Sequence, residues 1–482
     1  MVCSDLREFI RQSEALGECQ TIEGADWDLE LGILSELKAS AGNSPLLVFD
    51  SIKGYPPGYR VIANVFSTPK RIALAFGLPL GARGVELVRA MRNKWPGGVP
   101  LIPPVEVADG PVKENVQQGD EVDLFEFPTP KWHELDGGRY IGTGNTVIQR
   151  DPDEGWVNLG VYRVQIINKT TAAINIAPGQ HGDLIQKKYW SRGLSCPAVV
   201  TCGQEPLLWA AAGLQIPWGV SEYHYAGGMK GEPLAVTRGI TTDLPVPATA
   251  EIALEGEIVP PEVETVPEGP FGEWTGYYAA GRRQKPAFRV KSVLYRNNPI
   301  IQGNPPSRLP SVWTLGRHIQ KAAMLWTELD KQLPGVVGVW MVEEAGMHSM
   351  PVISLKQQYV GHARQSAQVA SGCSATGRDA RFIIVVDDDI DPSDLGEVVW
   401  AVATRCDPET AIDTLRGCWA TQSNPLLTKE DLETGRLEQA RAIVLACKPF
   451  HRLKDFAPSI KTTPKLLEET RNKWRHLFPE HS

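Results

Sequence analysis

The chain has 482 residues, a formal net charge of -8 and 42% hydrophobic residues. That length corresponds to about three ordinary domains, and the apolar content supports large cores. The charge is mild and Lys and Arg are dispersed, which disfavours nucleic acid as a main partner and leaves no basic face for a membrane surface. No run approaches the roughly 20 apolar residues of a membrane span. Leu207 to Val220 is apolar, but Gly213 and Pro217 interrupt it. The cysteines are Cys3, Cys19, Cys196, Cys202, Cys373, Cys406, Cys418 and Cys447, with no Cys-x-x-Cys pair among them and hence no zinc knuckle. The opening Met-Val-Cys-Ser-Asp lacks the apolar core of a signal peptide, so a reduced, cytoplasmic compartment is expected.

In chain order, the first hundred residues read as a mixed α/β unit. Trp27, Leu31 and Leu34 recur at helical spacing, and Ile33 and Leu37 widen the apolar stripe. Ser44 to Ile52 reads as a buried strand and Arg71 to Phe76 as another short one. A proline-rich break at residues 95–100, repeated at Pro103-Pro104, marks a boundary. From Val112 to Gly303, short runs rich in Val, Ile and Thr alternate with Gly and Pro turns: Asn145 to Gln149, Val161 to Asn168, Ala198 to Cys202, Ala250 to Glu255 and Phe288 to Tyr295. That rhythm suits a β-barrel or sandwich. After Pro305-Pro306 the text turns helical, with Ile319, Ala323 and Trp326 on one face. Phe382 to Val386 reads as a strand ending in three aspartates. Asp391-Pro392-Ser393-Asp394 reads as a helix start with Asp391 as the cap. Ala440 to Ala446 reads as a strand. A last helix opens at Thr463-Pro464, and Leu466, Leu467, Thr470, Trp474 and Leu477 form a side that must pack on its own domain or on a second subunit.

Five segments carry candidate chemistry. Pro267-Glu268-Gly269-Pro270-Phe271-Gly272-Glu273 sets two carboxylates five residues apart across a bend that a plain strand or helix does not form. The bend either converges both acids on a pocket, where unlike surroundings keep one ionised and one protonated, or leaves two glutamates in water. In Asn158-Leu159-Gly160-Val161-Tyr162-Arg163, Gly160 lets backbone approach a ligand closely. Residues 161 to 168 read as a strand with Val161, Arg163 and Gln165 on one face. Arg163 is then either a surface arginine or a buried cation that needs an anion, with Glu268 and Glu273 as candidates. Gln180 and His181 lie in a Pro-Gly-Gln-His-Gly loop, and Glu222 and His224 follow downstream. Asn158, His181 and Glu222 together make a hard-ligand set suited to Mg²⁺ or Mn²⁺. Lys356 follows the apolar Pro351 to Leu355 run, either as a phosphate contact or as a solvated strand-end lysine. No P-loop, no Gly-x-Gly-x-x-Gly after a strand and no Gly-x-Ser-x-Gly elbow is present.

Taken in order, these pieces resemble the UbiD family of reversible decarboxylases, which use prenylated flavin mononucleotide. Phe49-Asp50-Ser51-Ile52-Lys53-Gly54-Tyr55-Pro56, the acidic Glu268 to Glu273 signature and the late Ala446-Cys447-Lys448-Pro449 carry the resemblance, which covers essentially the whole chain. It implies an α+β protein: an N-terminal α/β domain over 1–110, a central split β-barrel holding prenylated FMN over 111–312, a linker helix over 313–332 and a C-terminal α/β oligomerisation domain over 333–482. It implies Asn158, His181 and Glu222 as ligands of Mn²⁺ (or Mg²⁺), with K⁺ nearby and the metal bridging to the flavin phosphate. Val161, Tyr162, Arg163, Gln180 and Lys356 are implied as cofactor contacts, Arg163 and Glu268 as the catalytic ion pair and Glu273 as the proton donor. His224 is close enough to Glu222 to be an alternative ligand, and His362 lies near the implied substrate pocket. Glutamate at 273, where the polyprenyl-hydroxybenzoate branch usually has aspartate, is similar to the cinnamate-type and heteroaromatic-acid enzymes.

The activity so implied is loss of CO₂ from an aromatic or heteroaromatic carboxylic acid through a covalent adduct with the prenylated flavin, which serves as electron sink. Glu273 then needs a pKa raised by burial or a like charge. The implied partners are a small carboxylic acid, CO₂, a flavin prenyltransferase that supplies the cofactor, and a second copy of the chain in a homodimer or larger assembly. The rival readings are a cinnamate-type acrylic acid decarboxylase, an FMN-dependent oxidoreductase, a non-catalytic flavin carrier and the same chemistry run as a carboxylase.

Overall fold

A computed structural model describes residues 3–40, 44–95, 98–214, 216–279, 281–308, 314–346, 349–460 and 462–477. Pro96 and Gly97 of the proline-rich break, and the junction at 312–313, lie outside the described residues.

Three large sheets follow one another, with a small three-stranded sheet of Pro245–Pro247, Ala235–Arg238 and Val105–Glu106 beside them. The first has four strands in the order Cys19–Glu23, Leu46–Asp50, Arg60–Ala63 and Ile300–Gln302. Its last member arrives from 240 residues downstream and runs parallel to Arg60–Ala63, which ties the start of the chain to the central layer. Leu31 packs inward from the Glu30–Ser40 helix, but Ile33 and Leu37 stand 50% and 62% exposed, so the apolar stripe of that helix is narrower than the sequence suggested. Arg71 to Phe76 is not a strand. It belongs to the Pro69–Phe76 helix, opened by Thr68 as N-cap with Pro69 behind it and closed by Gly77 in the left-handed region. The Thr-Pro start and the Gly stop outweigh the short apolar run.

The central layer is a ten-stranded sheet. Its path runs Tyr140–Gly142, Val164–Ile166, Thr171–Ile174, Arg283–Tyr295, Ile252–Ile258, Cys196–Cys202, Asn145–Arg150 and Val157–Gly160, with Asn115–Gln118 and Thr265–Glu268 added to the long Arg283–Tyr295 strand. The Tyr140–Gly142 end returns against Cys196–Cys202, so the sheet curls around a core that includes Trp132, Tyr140, Val147, Val200 and Phe288. The expected strand over 161–168 is shorter and covers only Val164–Ile166. The ladder stops at Gly160 and resumes at Val164, and the irregular residues 161–163 are the ones that reach the site.

The Thr314–Asp330 helix then links to the third layer. Ile319, Ala322, Leu325, Trp326 and Leu329 are all buried, each large one contributing roughly 1.5–3 kcal/mol of transfer free energy. Arg92 lies 4.6 Å over the Trp326 ring and pairs with Asp330 at 2.5 Å, which fixes the helix on the N-terminal layer. The third layer is a five-stranded sheet ordered Val336–Met341, Pro351–Leu355, Phe382–Asp387, Glu438–Ala446 and Ile412–Trp419, parallel across its middle three. The helix expected to begin at Asp391 runs Leu395–Arg405 and is capped by Asp394, which accepts from the Glu397 N–H. Pro392 is buried, and a Cβ on Gly338 would lie 3.1 Å from its ring, so Pro392 pins a turn rather than opening the helix. Among the described residues no helix is long and apolar enough to cross a membrane, and all eight cysteines are free.

Candidate active site

Thr265–Glu268 is paired antiparallel to the long strand, with Glu268 opposite Arg283. The ladder ends there because Gly269 takes φ +83°, a left-handed conformation that Gly adopts without penalty. The chain doubles back through Phe271 and Gly272, and the Glu273 N–H donates to the Tyr277 carbonyl at 2.9 Å. Both acids of the bend thereby reach one guanidinium. Arg163 donates from Nε to Glu268 Oε1 at 2.7 Å, from Nη2 to Glu268 Oε2 at 3.1 Å and from Nη1 to Glu273 Oε1 at 2.8 Å.

This cluster is largely buried. Glu268 is 1% exposed, and the side chains of Arg163 and Glu273 are 12% and 18% exposed. Burial works against the Arg163 charge, but Glu273 and Glu268 outweigh it and hold the guanidinium firmly protonated. The ring of Phe271 covers the guanidinium at 5.3 Å and stands 4.2 Å from the ring of Tyr140. The Tyr140 hydroxyl lies 3.2 Å from both Glu268 Oε1 and Gln165 Oε1, and Gln165 Oε1 also accepts the Gly269 N–H at 2.9 Å. Burial and the Glu268 carboxylate push the Tyr140 phenol up, so it stays a donor.

On the far side of Arg163 the chain carries the hard-ligand set. Tyr162 folds its ring back over Gly160. A Cβ at 160 would sit 2.3 Å from that ring and one at 182 would sit 2.9 Å from it, so both glycines are there for close approach. The Tyr162 hydroxyl accepts the Gly182 N–H at 3.3 Å and sits in the field of Glu222 and Asn158. Asn158 is on the Val157–Gly160 strand, His181 opens the His181–Trp190 helix and Glu222 opens the Glu222–Lys230 helix; both helices pack on that strand. Glu222 Oε2 accepts the Leu159 N–H at 2.7 Å. With no ion pair among the described residues, burial pushes the Glu222 carboxyl up to about 8. Burial keeps His181 neutral, with its ring edge-on to Trp156 and Trp218. No group of three or more His, Cys, Asp and Glu stands ready for a metal among the described residues. A buried carboxylate lacking a cation, a neutral imidazole and an amide fit a hard divalent ion.

A cavity of about 260 Å³ opens beside the Arg163 cluster, and Asn158, His181 and Glu222 are not among the residues that line it. Val161, Tyr162, Arg163, Gln180 and Glu273 line it, so the structure brings these site residues to one space. Lys356 is not among them. It is exposed at the C-terminal end of the Pro351–Leu355 strand, whereas residues before the N-terminal end of the neighbouring Phe382–Asp387 strand, Arg378 and Asp379, face the cavity. His362 is also elsewhere: it is buried against Tyr359 and its Nδ1 accepts the Gln358 N–H. The His224 carbonyl accepts the Ile102 N–H, and no metal role emerges for its ring.

Sequence reasoning missed Tyr140, Arg378, Trp274 and Ser423. Ser423 comes from the third layer, and its Oγ donates to Glu273 Oε2 at 2.9 Å. No local pattern signals it; it is a serine in an ordinary Thr-Gln-Ser-Asn-Pro loop.

Three family models match the chain in order. They are the N-terminal domain (residues 10–91), the Rift-related domain (104–309) and the C-terminal domain (314–444) of UbiD, 3-octaprenyl-4-hydroxybenzoate carboxy-lyase. A pyrrole-2-carboxylic acid decarboxylase of Pseudomonas aeruginosa is 35% identical over 425 residues, 84% of this chain and 83% of that protein. The UbiD-class enzyme HmfF of Pelotomaculum thermopropionicum, solved with FMN, superposes with a TM-score of 0.85 at 25% identity, covering 98% of this chain and 100% of that one. An evolved dimeric form of HmfF, solved with prenylated FMN, gives a TM-score of 0.81 at 26% identity over 96% and 98% of the two chains.

Proposed function

We propose, from the premise that this chain belongs to the UbiD family of carboxy-lyases, that it removes CO₂ reversibly and without oxidation from a small heteroaromatic or aromatic carboxylic acid. The observation that carries this reading is Arg163 shared between two carboxylates at the wall of one cavity. The relative that acts on pyrrole-2-carboxylic acid favours a heteroaromatic ring.

Prenylated FMN, when bound, supplies the electron sink that makes loss of CO₂ from an sp² carbon feasible. Asn158, His181 and Glu222 would hold Mn²⁺ (or Mg²⁺), with K⁺ beside it, against the flavin phosphate. Val161, Tyr162, Arg163 and Gln180 would line the ring system. Glu268, fixed bidentate and buried, keeps Arg163 charged and aimed. Glu273 receives only one Arg163 donor and is the more exposed acid, so it is the less tightly bound of the two to the guanidinium. Decarboxylation consumes one proton per turnover: the carbon–carboxylate bond breaks, its electron pair remains with the ring carbon, and Glu273 delivers the proton there. When Glu273 is protonated, its hold on Nη1 weakens and that donor becomes available to the substrate carboxylate.

The same reading includes a flavin prenyltransferase as cofactor supplier, a cytoplasmic location in keeping with eight free cysteines, and domain divisions after residues 110, 312 and 332. It includes a homodimer. The Pro464–Lys473 helix and its tail leave Leu466, Leu467, Trp474 and Leu477 between 44% and 60% exposed, an apolar side that a second copy would cover.

The test uses holoenzyme co-produced with a flavin prenyltransferase and a panel of heteroaryl, hydroxybenzoic and acrylic acids, scored by CO₂ release without a hydride donor. Glu273→Gln should retain flavin yet lose turnover and deuterium incorporation from D₂O; normal turnover by that variant defeats the assignment.

A further inference from the structure

Glu273 is held from two layers of the molecule. Arg163, from the central sheet, takes Oε1 at 2.8 Å, and Ser423, from the loop after the Ile412–Trp419 strand, takes Oε2 at 2.9 Å. That loop is itself clasped to the acidic bend. Thr275 Oγ1 donates to the Ser423 carbonyl at 3.1 Å, and Arg283, the cross-strand partner of Glu268, reaches Gln422 Oε1 at 3.5 Å. Within the loop the Ser423 N–H donates to Thr421 Oγ1 at 3.2 Å, so the serine's backbone is anchored independently of Glu273. With Oε1 occupied by a fixed guanidinium, the orientation of the second oxygen decides where a proton on this carboxyl would point.

We propose that Ser423 is a positioning residue for the proton donor: its hydroxyl aims the free oxygen of Glu273 into the cavity and ties proton delivery to docking of the C-terminal layer on the acidic bend. This rests on the reading of Glu273 as proton donor. A hydroxyl can do both halves of the task. It donates to the ionised carboxylate after the proton has left, and rotates to accept from the protonated acid before transfer. Arg163 has no acceptor and serves only the ionised form. Other charged groups around Glu273 are Glu268 behind Arg163, Arg317, Arg378 and Asp379 across the cavity, and Glu36, His133, Glu134 and Arg308 on its outer face. Ser423 is the one neutral hydroxyl bonded to the acid among the described residues.

The experiment compares Ser423→Ala, Ser423→Thr and Glu273→Gln as holoenzymes, with pyrrole-2-carboxylate, furan-2-carboxylate and cinnamate as probes, measuring kcat, KM and flavin content. In Ser423→Ala kcat should fall roughly ten-fold, the order of one hydrogen bond to a charged group, with KM within about two-fold and flavin retained. Ser423→Thr should restore kcat. A wild-type kcat in Ser423→Ala overturns the proposal, as does a loss of activity that comes through KM or flavin content. Either result leaves the decarboxylase reading standing if Glu273→Gln is inactive. Turnover by Glu273→Gln, or no turnover of any probe by wild type, removes both.

Discussion

Arg163 serves two carboxylates at once because a guanidinium presents donors along two edges. Glu268 has a fork to itself, and Glu273 has a single donor plus the Ser423 hydroxyl. The two acids therefore differ in how tightly they are held, which is what a site needs if one is to be fixed and the other is to exchange a proton. The buried member also makes Arg163 a structural necessity. Arg163→Met should cost about 3 kcal/mol in urea unfolding, because Glu268 is left as a buried, unpaired charge. Adding Glu268→Gln should recover more than half of that loss. A cost below about 1 kcal/mol for the single variant would mean that Glu268 is not held by this pair. The bend that carries the acid pair was legible in the sequence, since Gly269-Pro270 and Gly272 exclude both regular periods, whereas its convergence on Arg163 was not, because the arginine lies more than a hundred residues upstream. An apolar strand followed by a lysine, as at Lys356, says nothing about which end of the strand faces a cavity.

At the scale of elements, packing moved a helix start. Asp391 followed by Pro392 matches a helix start in the sequence. Pro392 is instead buried beside Gly338, and the first helical turn begins after Asp394, which accepts from the Glu397 N–H. Asp394→Ala should accordingly cost about 1 kcal/mol in denaturant unfolding, the usual loss for an N-cap. A neutral Asp394→Ala would place the cap elsewhere. The Pro69–Phe76 helix teaches the complementary lesson. Its apolar run is too short to show a period, and Thr68, Pro69 and Gly77 carried the information. The most consequential element-level feature is the break at residues 161–163. A continuous strand would have alternated these side chains across the sheet; the break instead lets Tyr162 turn back over Gly160 while Arg163 crosses to the acids.

At the scale of the whole molecule, the site is assembled from layers that meet only after folding, and its electrostatics predict a metal-linked stability. Glu222 is raised from 4.5 to about 8 by burial. The folded metal-free protein thus binds a proton that the unfolded chain releases, so this group's contribution is fully present below pH 4.5 and is lost as the pH rises towards 8. The melting temperature of metal-free protein should fall across that window, and Mn²⁺ should restore it. Glu222→Gln should flatten the slope and abolish the Mn²⁺ response, leaving the same-sign part due to Glu205, which burial also raises to about 8. A Mn²⁺ response undiminished in Glu222→Gln would exclude this carboxylate as a ligand. What the sequence determined alone is what short range can encode: strand and helix periods, the bend between Glu268 and Glu273, the close-approach glycine at 160, and the order of motifs that marks the family. The tertiary structure alone decided that Ser423 meets Glu273 across 150 residues, that Arg378 rather than Lys356 faces the cavity, and that Ile300–Gln302 completes the first sheet. The physical reason is that side-chain period and turn chemistry are properties of adjacent residues. Which strand end or loop lies over a site depends on how the layers stack, and that is set by burial summed over all of them.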